Sequence, residues 1–228
     1  MRLLAIAVDY DGTLASDGKV DDPTVVALER WKSAGNKLIL NTGREFQDLL
    51  GVFPHARTFD CIVAENGGLL YSPEHDEMRI LAPPPPAACI ERLQASGIEP
   101  LSIGNVVIAT KMNHGNEVAA IIRELGLELE VTVNRDAIMV LPKGVDKASG
   151  LIAASHQLKI DIMQMAGIGD AENDIPFLKI CGLSIAVANA LPAVKAMTQW
   201  ITKAETGAGV TEAIVRLLDQ NYSIATSK

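Results

Sequence analysis

The feature that most constrains this fold is an uninterrupted apolar run close to the N-terminus. Residues 3–8 are all apolar, with no polar alternation, and the run ends abruptly at Asp9. Such a run predicts a strand that is buried on both faces, as in a parallel sheet covered by helices on each side. In open sheets of this kind, ligands bind outside the carboxyl ends of the strands. We therefore expect the chemistry of this chain directly after residue 8.

Two acidic residues stand at this strand end. Asp9 and Asp11 lie two residues apart, so an extended backbone points both carboxylates to the same side. Gly12 follows, and a glycine allows the chain to turn and a ligand to approach the backbone closely. Neighbouring carboxylates repel each other unless a cation or a proton lies between them. A surface turn is the alternative interpretation, because Asp and Gly are common in turns.

A second polar group follows the next predicted strand, residues 37–40. This strand runs directly into Thr42, Gly43 and Arg44. A hydroxyl beside the free N–H groups of a helix start can bind phosphate, but a simple helix N-cap explains Thr42 equally well. Because a strand-helix-strand unit places consecutive strand ends side by side, we expect Thr42 to lie near Asp9.

Two further groups occur late in the chain. Lys147 precedes a helix predicted over residues 148–156, where a solvated lysine is the ordinary expectation. A strand predicted over residues 162–168 then leads into Gly-Asp-Ala-Glu-Asn-Asp, residues 169–174, with a helix beginning near Asn173. Acidic residues in a first helical turn are favoured by the helix dipole, which is sufficient to explain Glu172 and Asp174.

Together these segments resemble the four motifs of the haloacid dehalogenase (HAD) superfamily of phosphohydrolases. The closest resemblance is to the Cof-like, sugar-phosphatase branch, subfamily IIB, which carries an inserted α/β cap. The matching segments are Asp9-Tyr10-Asp11-Gly12-Thr13-Leu14, Thr42-Gly43-Arg44, Lys143-Gly144-Val145-Asp146-Lys147 and Gly169-Asp170-Ala171-Glu172-Asn173-Asp174. They occur in the order of the family, and the resemblance covers nearly the whole chain.

The resemblance implies a role for each matching residue. Asp9 would attack phosphorus to form an aspartyl-phosphate, Asp11 would act as general acid and then general base, and Lys147 would neutralise the reacting charges. Phosphate binding carries over to Thr42, Gly43 and Asn173, and Arg44 is either structural or a substrate contact. The implied cofactor is Mg²⁺, and its site consists of Asp9, the backbone carbonyl of Asp11, Asp170, and Asp174 as the acid that orients the metal shell.

The predicted domain organisation has an insertion in the middle of the chain. The proline run at residues 83–86 predicts a stiff linker. The segment behind it mixes predicted helices with predicted strands, which is typical of an α+β module. The predicted helices are residues 88–96 and 116–125. Residues 101–110 are predicted as one or two strands, and residues 127–133 and 137–141 as one strand each. We therefore expect a doubly wound, mostly parallel α/β core of Rossmann type, residues 1–82 and 143–228, with a small α+β cap inserted as residues 83–142.

Local signals predict several connections. Asp-Gly at residues 17–18 predicts a tight hairpin, and Asp22 with Pro23 predicts the N-cap and first residue of a helix. Asn-Gly at residues 66–67 predicts a second hairpin, and because turn formation explains it, Asn66 is left out of the site. A closing helix is predicted to end near Gln220, followed by a frayed tail at residues 222–228.

Composition excludes several classes of partner. The chain has 28 acidic and 20 basic residues, a formal charge of −8, which argues against nucleic acid or an anionic membrane as the main partner. Its three cysteines are scattered without metal-ligand spacing, which is typical of reduced thiols in the cytoplasm. The N-terminal apolar run is too short for a signal peptide. We expect a cytoplasmic enzyme whose partner is a small phosphorylated metabolite, and the sequence leaves the oligomeric state open.

Three other functions compete with a phosphatase. A phospho-acceptor signalling module also has clustered acids and a lysine, but it needs no 60-residue insertion. A non-catalytic sugar-phosphate-binding protein is disfavoured because every motif residue is present. A phosphomutase of the same superfamily shares the motifs and is the nearest competitor. The resemblance favours phosphoglycolate or a sugar phosphate as the substrate of a phosphatase.

Overall fold

A computed structural model describes residues 2–219 as two sheets and their surrounding helices. In chain order the elements are β1 (Ala5–Val8), α1 (Asp22–Ser33), β2 (Lys37–Asn41), α2 (Phe46–Val52), β3 (Cys61–Ala64), β4 (Leu69–Ser72), β5 (Glu77–Ile80), α3 (Ala87–Ala95), β6 (Leu101–Ile103), β7 (Ile108–Lys111), α4 (Gly115–Glu124), β8 (Leu129–Asn134), β9 (Ala137–Pro142), α5 (Lys147–Leu158), β10 (Met165–Gly169), α6 (Ile175–Ile180), β11 (Leu183–Ala186), α7 (Pro192–Met197), β12 (Trp200–Ile201) and α8 (Thr206–Asp219). No helix in this range is long and apolar enough to cross a membrane.

The larger sheet is mostly parallel and doubly wound. Within the described residues it has eight strands in the order β12-β11-β10-β1-β2-β3-β4-β5, of which only β4 runs against the others, since it pairs antiparallel with both β3 and β5. Every residue of β1 is fully buried, as its apolar sequence predicts. From β1 the chain proceeds outwards to β2 and β3 on one side, and from β10 to β11 and β12 on the other. The strand order thus reverses between β1 and β10, which is where such sheets bind ligands.

The smaller sheet is antiparallel and has its own apolar core. Its order is β6-β7-β9-β8 across the part of the chain that the structure describes. Leu93 of α3 and Val118 of α4 pack in one apolar cluster with Val140 of β9, so the two helices cover one face of this sheet. The predicted mixture of helices and strands is confirmed, and the segment 101–110, predicted as one or two strands, contains two, β6 and β7. We propose that this unit, residues 83–142, is a cap over the carboxyl ends of the main sheet.

A buried carboxylate joins the two sheets. Glu65 follows β3 and is fully buried. Its Oε1 accepts hydrogen bonds from the backbone and side-chain amides of Asn105, at 3.1 and 2.8 Å. Its Oε2 accepts the backbone N–H groups of Val106 and Val107, at 2.7 and 3.2 Å. Four donors from the β6–β7 loop therefore converge on one side chain of the main sheet.

Three sequence predictions differ from the structure at element ends. Asp21, not Asp22, is the N-cap of α1, because Asp21 has extended backbone angles and its side chain accepts the N–H of Thr24. The predicted strand at 162–168 begins only at Met165, since Asp161 caps a short 3₁₀ turn over Ile162–Gln164. The predicted helix after residues 207–209 already begins at Thr206.

The remaining local predictions have mixed outcomes. The hairpin at residues 17–18 is confirmed by reciprocal backbone hydrogen bonds between Ser16 and Lys19, and β3 and β4 form the hairpin predicted around Asn66. Helix α5 begins at Lys147, one residue earlier than predicted. The predictions for Gln220 and the tail at 222–228 lie outside the described residues.

Glu65→Gln is expected to weaken the hydrogen bonding between the main sheet and the β6–β7 loop. The substitution keeps the size of the side chain but turns one acceptor into a donor that faces other N–H groups. Buried donors left without acceptors should lower the free energy of unfolding by about 1–3 kcal/mol. Urea unfolding would measure the loss, and limited proteolysis would show faster cleavage at 96–107. Glu91→Gln, an exposed position on α3, is the matched control; equal stabilities of the two variants would contradict the role of Glu65.

Candidate active site

Three buried carboxylates meet where the strand order reverses. Asp9 directly follows β1 and Asp170 directly follows β10, and the two strands are parallel neighbours with Val8 opposite Ile168. Asp174 lies four residues beyond Asp170, at the end of a 3₁₀ turn. Asp9 is 4% exposed and the other two are fully buried. One oxygen from each carboxylate lies within 4.8 Å of the others, so the three form a group that could hold a metal ion.

Lys147 lies between two of these acids. Its Nζ donates to Asp9 Oδ1 and to Asp174 Oδ1, each at 2.5 Å, and the side chain is completely buried. Burial lowers the pKa of Lys147, but the negative charges of Asp174 and Asp9 outweigh burial and raise it above its ordinary value. Lys147 is the first residue of α5, which Asp146 caps through its bond to Ser149 N at 2.8 Å. The helix start thus fixes a charged ammonium beside Asp9.

Both carboxylate oxygens of Asp174 accept hydrogen bonds from the protein. Its Oδ1 accepts Lys147, and its Oδ2 accepts the backbone N–H groups of Asp170 and Ala171, at 2.8 and 3.0 Å. These bonds hold the loop after β10 in place. The arrangement supports the proposal that Asp174 orients the site rather than binding the reacting atoms.

Asp170 is held by one core residue and one cap residue. Thr13 Oγ1 donates to its Oδ1 at 2.7 Å. Arg135, from the turn between β8 and β9, donates to its Oδ2 from Nε at 2.9 Å and also from Nη2. Gly12 has φ +79°, and a Cβ on it would lie 2.6 Å from Asp170 Oδ2. The glycine of the first motif is therefore required by close approach as well as by backbone conformation.

Two buried asparagine side chains carry polar atoms without partners. Asn173 Nδ2 donates to Asn66 Oδ1 at 3.1 Å, and both side chains are buried. Among the described residues, Asn66 Nδ2 and Asn173 Oδ1 have no hydrogen-bond partner. Buried polar atoms are normally paired, so these atoms indicate a polar ligand or water. Sequence reasoning left Asn66 out, because its turn signal already accounted for it.

Thr42 and Gly43 lie next to this pair. Thr42 is 1% exposed, and its Oγ1 accepts the backbone N–H of Arg44 at 3.1 Å, which leaves the hydroxyl hydrogen available for donation. A Cβ on Gly43 would lie 3.4 Å from Asn173 Nδ2 and 3.0 Å from Met139 Sδ of the cap sheet. The second and fourth motifs thus meet beneath the cap.

Arg44 is bound to two acids. Its Nε and Nη2 donate to the two oxygens of Asp11, at 2.6 and 2.8 Å, and its Nη1 donates to Asp48 at 2.5 Å. These bonds raise the pKa of Arg44 above its ordinary value despite partial burial. The carboxylate of Asp11 is 41% exposed and lies outside the buried acidic group. A metal contact of Asp11 would therefore use its backbone carbonyl.

The family of this chain follows from its sequence. A family model for haloacid dehalogenase-like hydrolases matches residues 6–96 and 95–214, nearly the whole chain. The chain belongs to the haloacid dehalogenase-like hydrolase family. This confirms the resemblance inferred from the four motifs.

Relatives of this hydrolase share its full length. A phosphoglycolate phosphatase of Methanothermobacter thermautotrophicus is 30% identical over 223 residues, which cover 94% of this chain and 98% of the relative. Phosphoglycolate phosphatase 2 of Saccharolobus solfataricus is 30% identical over 230 residues, 96% of this chain and 94% of the relative. Both matches include the core and the inserted segment.

Solved structures share the fold of this hydrolase. A haloacid dehalogenase-like hydrolase from Bacteroides thetaiotaomicron superposes with a TM-score of 0.82 at 20% identity, covering 95% of this chain and 100% of that protein. A sugar phosphatase of HAD subclass IIB gives a TM-score of 0.75 at 18% identity, covering 93% and 98%. The predicted parallel core with a separate small antiparallel sheet is thereby confirmed.

The charges of this site fit a divalent cation. Asp9, Asp170 and Asp174 oppose only one buried ammonium, Lys147, and the partly exposed guanidinium of Arg135. Burial, followed by the charge of Asp174 and then of Asp170, raises the pKa of Asp9 well above its usual range, although Lys147 acts in the opposite direction. A cation beside Asp9 and Asp170 would offset this excess of negative charge.

Mg²⁺ is expected to stabilise the folded protein. A ligand that binds only the folded state at about 100 times its Kd adds about 2.7 kcal/mol, which raises the Tm of a chain of this size by about 5–10 °C. Asp170→Asn should abolish most of this shift, since it removes a charged oxygen ligand. Calorimetric melting with MgCl₂ and with chelator would measure it. Asp22→Asn, on the exposed start of α1, should keep the shift; an equal shift in both variants would count against a metal at Asp170.

Proposed function

We propose that this hydrolase is a Mg²⁺-dependent phosphatase that acts on a small phosphorylated metabolite through an aspartyl-phosphate on Asp9. The observation that carries the proposal is the position of Asp9. This residue sits at the strand-order reversal, bonded to a buried lysine through Oδ1 and grouped with the buried carboxylates of Asp170 and Asp174. The relatives named phosphoglycolate phosphatase support a small phosphorylated substrate.

The proposed Mg²⁺ ligands are Asp9, Asp170 and the backbone carbonyl of Asp11. Mg²⁺ prefers oxygen ligands and retains several waters, which matches a site with two ligating carboxylates. When bound, it would withdraw charge from a phosphoryl oxygen. Asp174 would hold Asp170 in place by accepting its backbone N–H. Thr13 would do so by donating its hydroxyl to Asp170 Oδ1.

In the first step, the carboxylate of Asp9 forms a bond to phosphorus while the bond to the leaving oxygen breaks. Asp11 gives a proton to that oxygen, so the product leaves as an alcohol. Before this step, the carboxyl group of Asp11 must break its two hydrogen bonds to Arg44 and rotate toward the substrate. Its partly exposed position leaves room for that rotation. In the second step Asp11 takes a proton from water, and the oxygen of that water attacks phosphorus. Phosphate leaves and the carboxylate of Asp9 is restored.

The remaining side chains would hold the phosphoryl group. Lys147 offers positive charge beside Asp9, and the Thr42 hydroxyl and Gly43 N–H offer donors. Asn173 belongs to the same group, and the unpaired Nδ2 of Asn66 adds a donor that sequence reasoning did not assign. Fixed donors around the equatorial oxygens would stabilise the charge that these oxygens carry in the transition state.

Phosphate release tests the proposal directly. The wild-type protein should hydrolyse p-nitrophenyl phosphate in Mg²⁺ and lose this activity in excess chelator. A panel that contains phosphoglycolate and several sugar phosphates would then rank the substrates, and we expect phosphoglycolate to lead. Full activity in excess chelator would contradict the proposed requirement for Mg²⁺. Transfer of phosphate between positions of one sugar, without net release, would indicate a mutase instead.

Asp11→Asn is expected to separate the two chemical steps. An alkyl phosphate should lose about 10²–10⁴-fold in first-step rate without its general acid. A nitrophenyl leaving group needs little protonation, so its first step should be nearly spared while hydrolysis of the aspartyl-phosphate slows. Stopped-flow measurement should therefore show a burst of nitrophenol about equal to the enzyme concentration.

Asp9→Asn is the matched control for this experiment. It removes the nucleophile, so both substrates should lose turnover and no burst should occur. Equal first-step losses for both substrates in Asp11→Asn, again without a burst, would show that Asp11 is not the acid.

A further inference from the structure

The turn between β8 and β9 brings one cap residue into the site. The two strands pair from Leu129 opposite Pro142 to Asn134 opposite Ala137, so Arg135 and Asp136 form a two-residue turn. Arg135 has φ +50°, in the left-handed region that few residues other than glycine adopt. Its backbone N–H donates to the carboxylate of Glu172, at 3.2 Å, in the fourth motif of the core. The tip of the hairpin is therefore fastened beside the buried acids.

The guanidinium of Arg135 forms an ion pair with Asp170, which is also a proposed metal ligand. It donates from two nitrogens to Asp170 Oδ2, which is a proposed Mg²⁺ ligand. Asp170 is fully buried, whereas the side chain of Arg135 is 39% exposed. Once a divalent cation takes up the charge of Asp170, the guanidinium loses most of its attraction to that oxygen. The backbone hydrogen bond of Arg135 to Glu172 does not involve Asp170, so it would keep the residue next to the buried acids.

The other two cations of this site are committed elsewhere. Lys147 is enclosed between Asp9 and Asp174. Arg44 uses its three donor-bearing nitrogens on Asp11 and Asp48. Arg135 is thus the cation of the described site that metal binding would release, and a released guanidinium is a bidentate donor for an anion.

The position of Arg135 limits the length of the molecule that it could bind. One oxygen of Asp170 lies within 4.8 Å of an oxygen of Asp9, and Arg135 binds the same Asp170 carboxylate, so a single side chain separates the guanidinium from the residue that would carry the phosphoryl group. A second anionic group must then lie only a few bonds from phosphorus. A carboxylate one carbon beyond the ester oxygen meets this condition, whereas a hexose places its far end well beyond it.

We propose that Arg135 binds a carboxylate of the substrate and selects short phosphorylated hydroxy acids over uncharged phosphate esters. This inference rests on the proposed phosphatase function and adds the residue that would recognise the substrate beyond its phosphate group. Arg135 would be a specificity residue of the cap, and it would take no part in the transfer of the phosphoryl group.

Arg135→Gln tests the inference with a pair of matched esters. Phosphoglycolate carries a carboxylate where ethyl phosphate carries a methyl group, and the two esters are otherwise the same. The kcat/KM for phosphoglycolate divided by that for ethyl phosphate therefore measures the contribution of the carboxylate. Loss of a charge-assisted bidentate pair should lower the ratio about 10- to 100-fold, chiefly through the KM for phosphoglycolate. Arg135→Lys keeps the positive charge but cannot donate two parallel hydrogen bonds, so it should restore only part of the kcat/KM ratio. Arg123→Gln, on the exposed surface of cap helix α4, should leave the ratio unchanged.

Other outcomes would overturn the inference. One such outcome is that Arg135→Gln lowers kcat/KM equally for both esters, and another is that it changes the Mg²⁺ concentration for half-maximal activity while the kcat/KM ratio stays the same. Either result would mean that Arg135 only supports Asp170. If the wild-type protein hydrolysed neither ester, the proposed function would fail, and calorimetric binding of the intact esters would then decide the role of Arg135. Loss of affinity for phosphoglycolate alone in Arg135→Gln would support it, and unchanged affinities would overturn it.

Discussion

The buried ammonium of Lys147 is the interaction on which this site depends. Removing a lysine from water without partners costs several kcal/mol, so its two carboxylates have to be present at once. They come from different parts of the chain, because Asp9 follows β1 and Asp174 follows β10. The triple contact therefore aligns the start of α5 with both strand ends. It also joins the core segments on either side of the inserted cap, although 138 residues separate Asp9 from Lys147.

The cap adds charge and shape to a site whose reacting groups belong to the core. On one side, Glu65 of the core holds the β6–β7 loop through four hydrogen bonds. On the other side, Arg135 reaches Asp170, and Met139 packs over Gly43. The insertion is thus fastened at two separate points around the acids. If the inserted segment selects the substrate, as proposed, its residues can differ while the charge pattern around Asp9 stays the same.

Local patterns predicted the groups at strand ends and missed the groups that act across the chain. Asp9, Thr42 and Asp170 each follow a buried apolar strand, so parallel pairing alone brings them together. Glu65, Asn66 and Arg135 were missed, since each has an adequate local explanation as a turn residue. Their decisive partners lie 40, 107 and 35 residues away. Asp21 and Asp22 show the same limit on a smaller scale, because both are good caps and only the backbone angles decide between them.

The two aspartates of the first motif differ in environment although only Tyr10 separates them. Asp9 is almost completely buried and bonded to Lys147, so it is shielded from bulk water and held in one orientation, as a nucleophile requires. Asp11 lies at the surface beside Arg44, where a carboxyl group can exchange protons with solvent and with a leaving group. The left-handed turn at Gly12 directs the chain around Asp170 immediately after Asp11. Placement alone thus gives two identical side chains different environments, which fit the proposed roles of Asp9 as nucleophile and Asp11 as proton carrier.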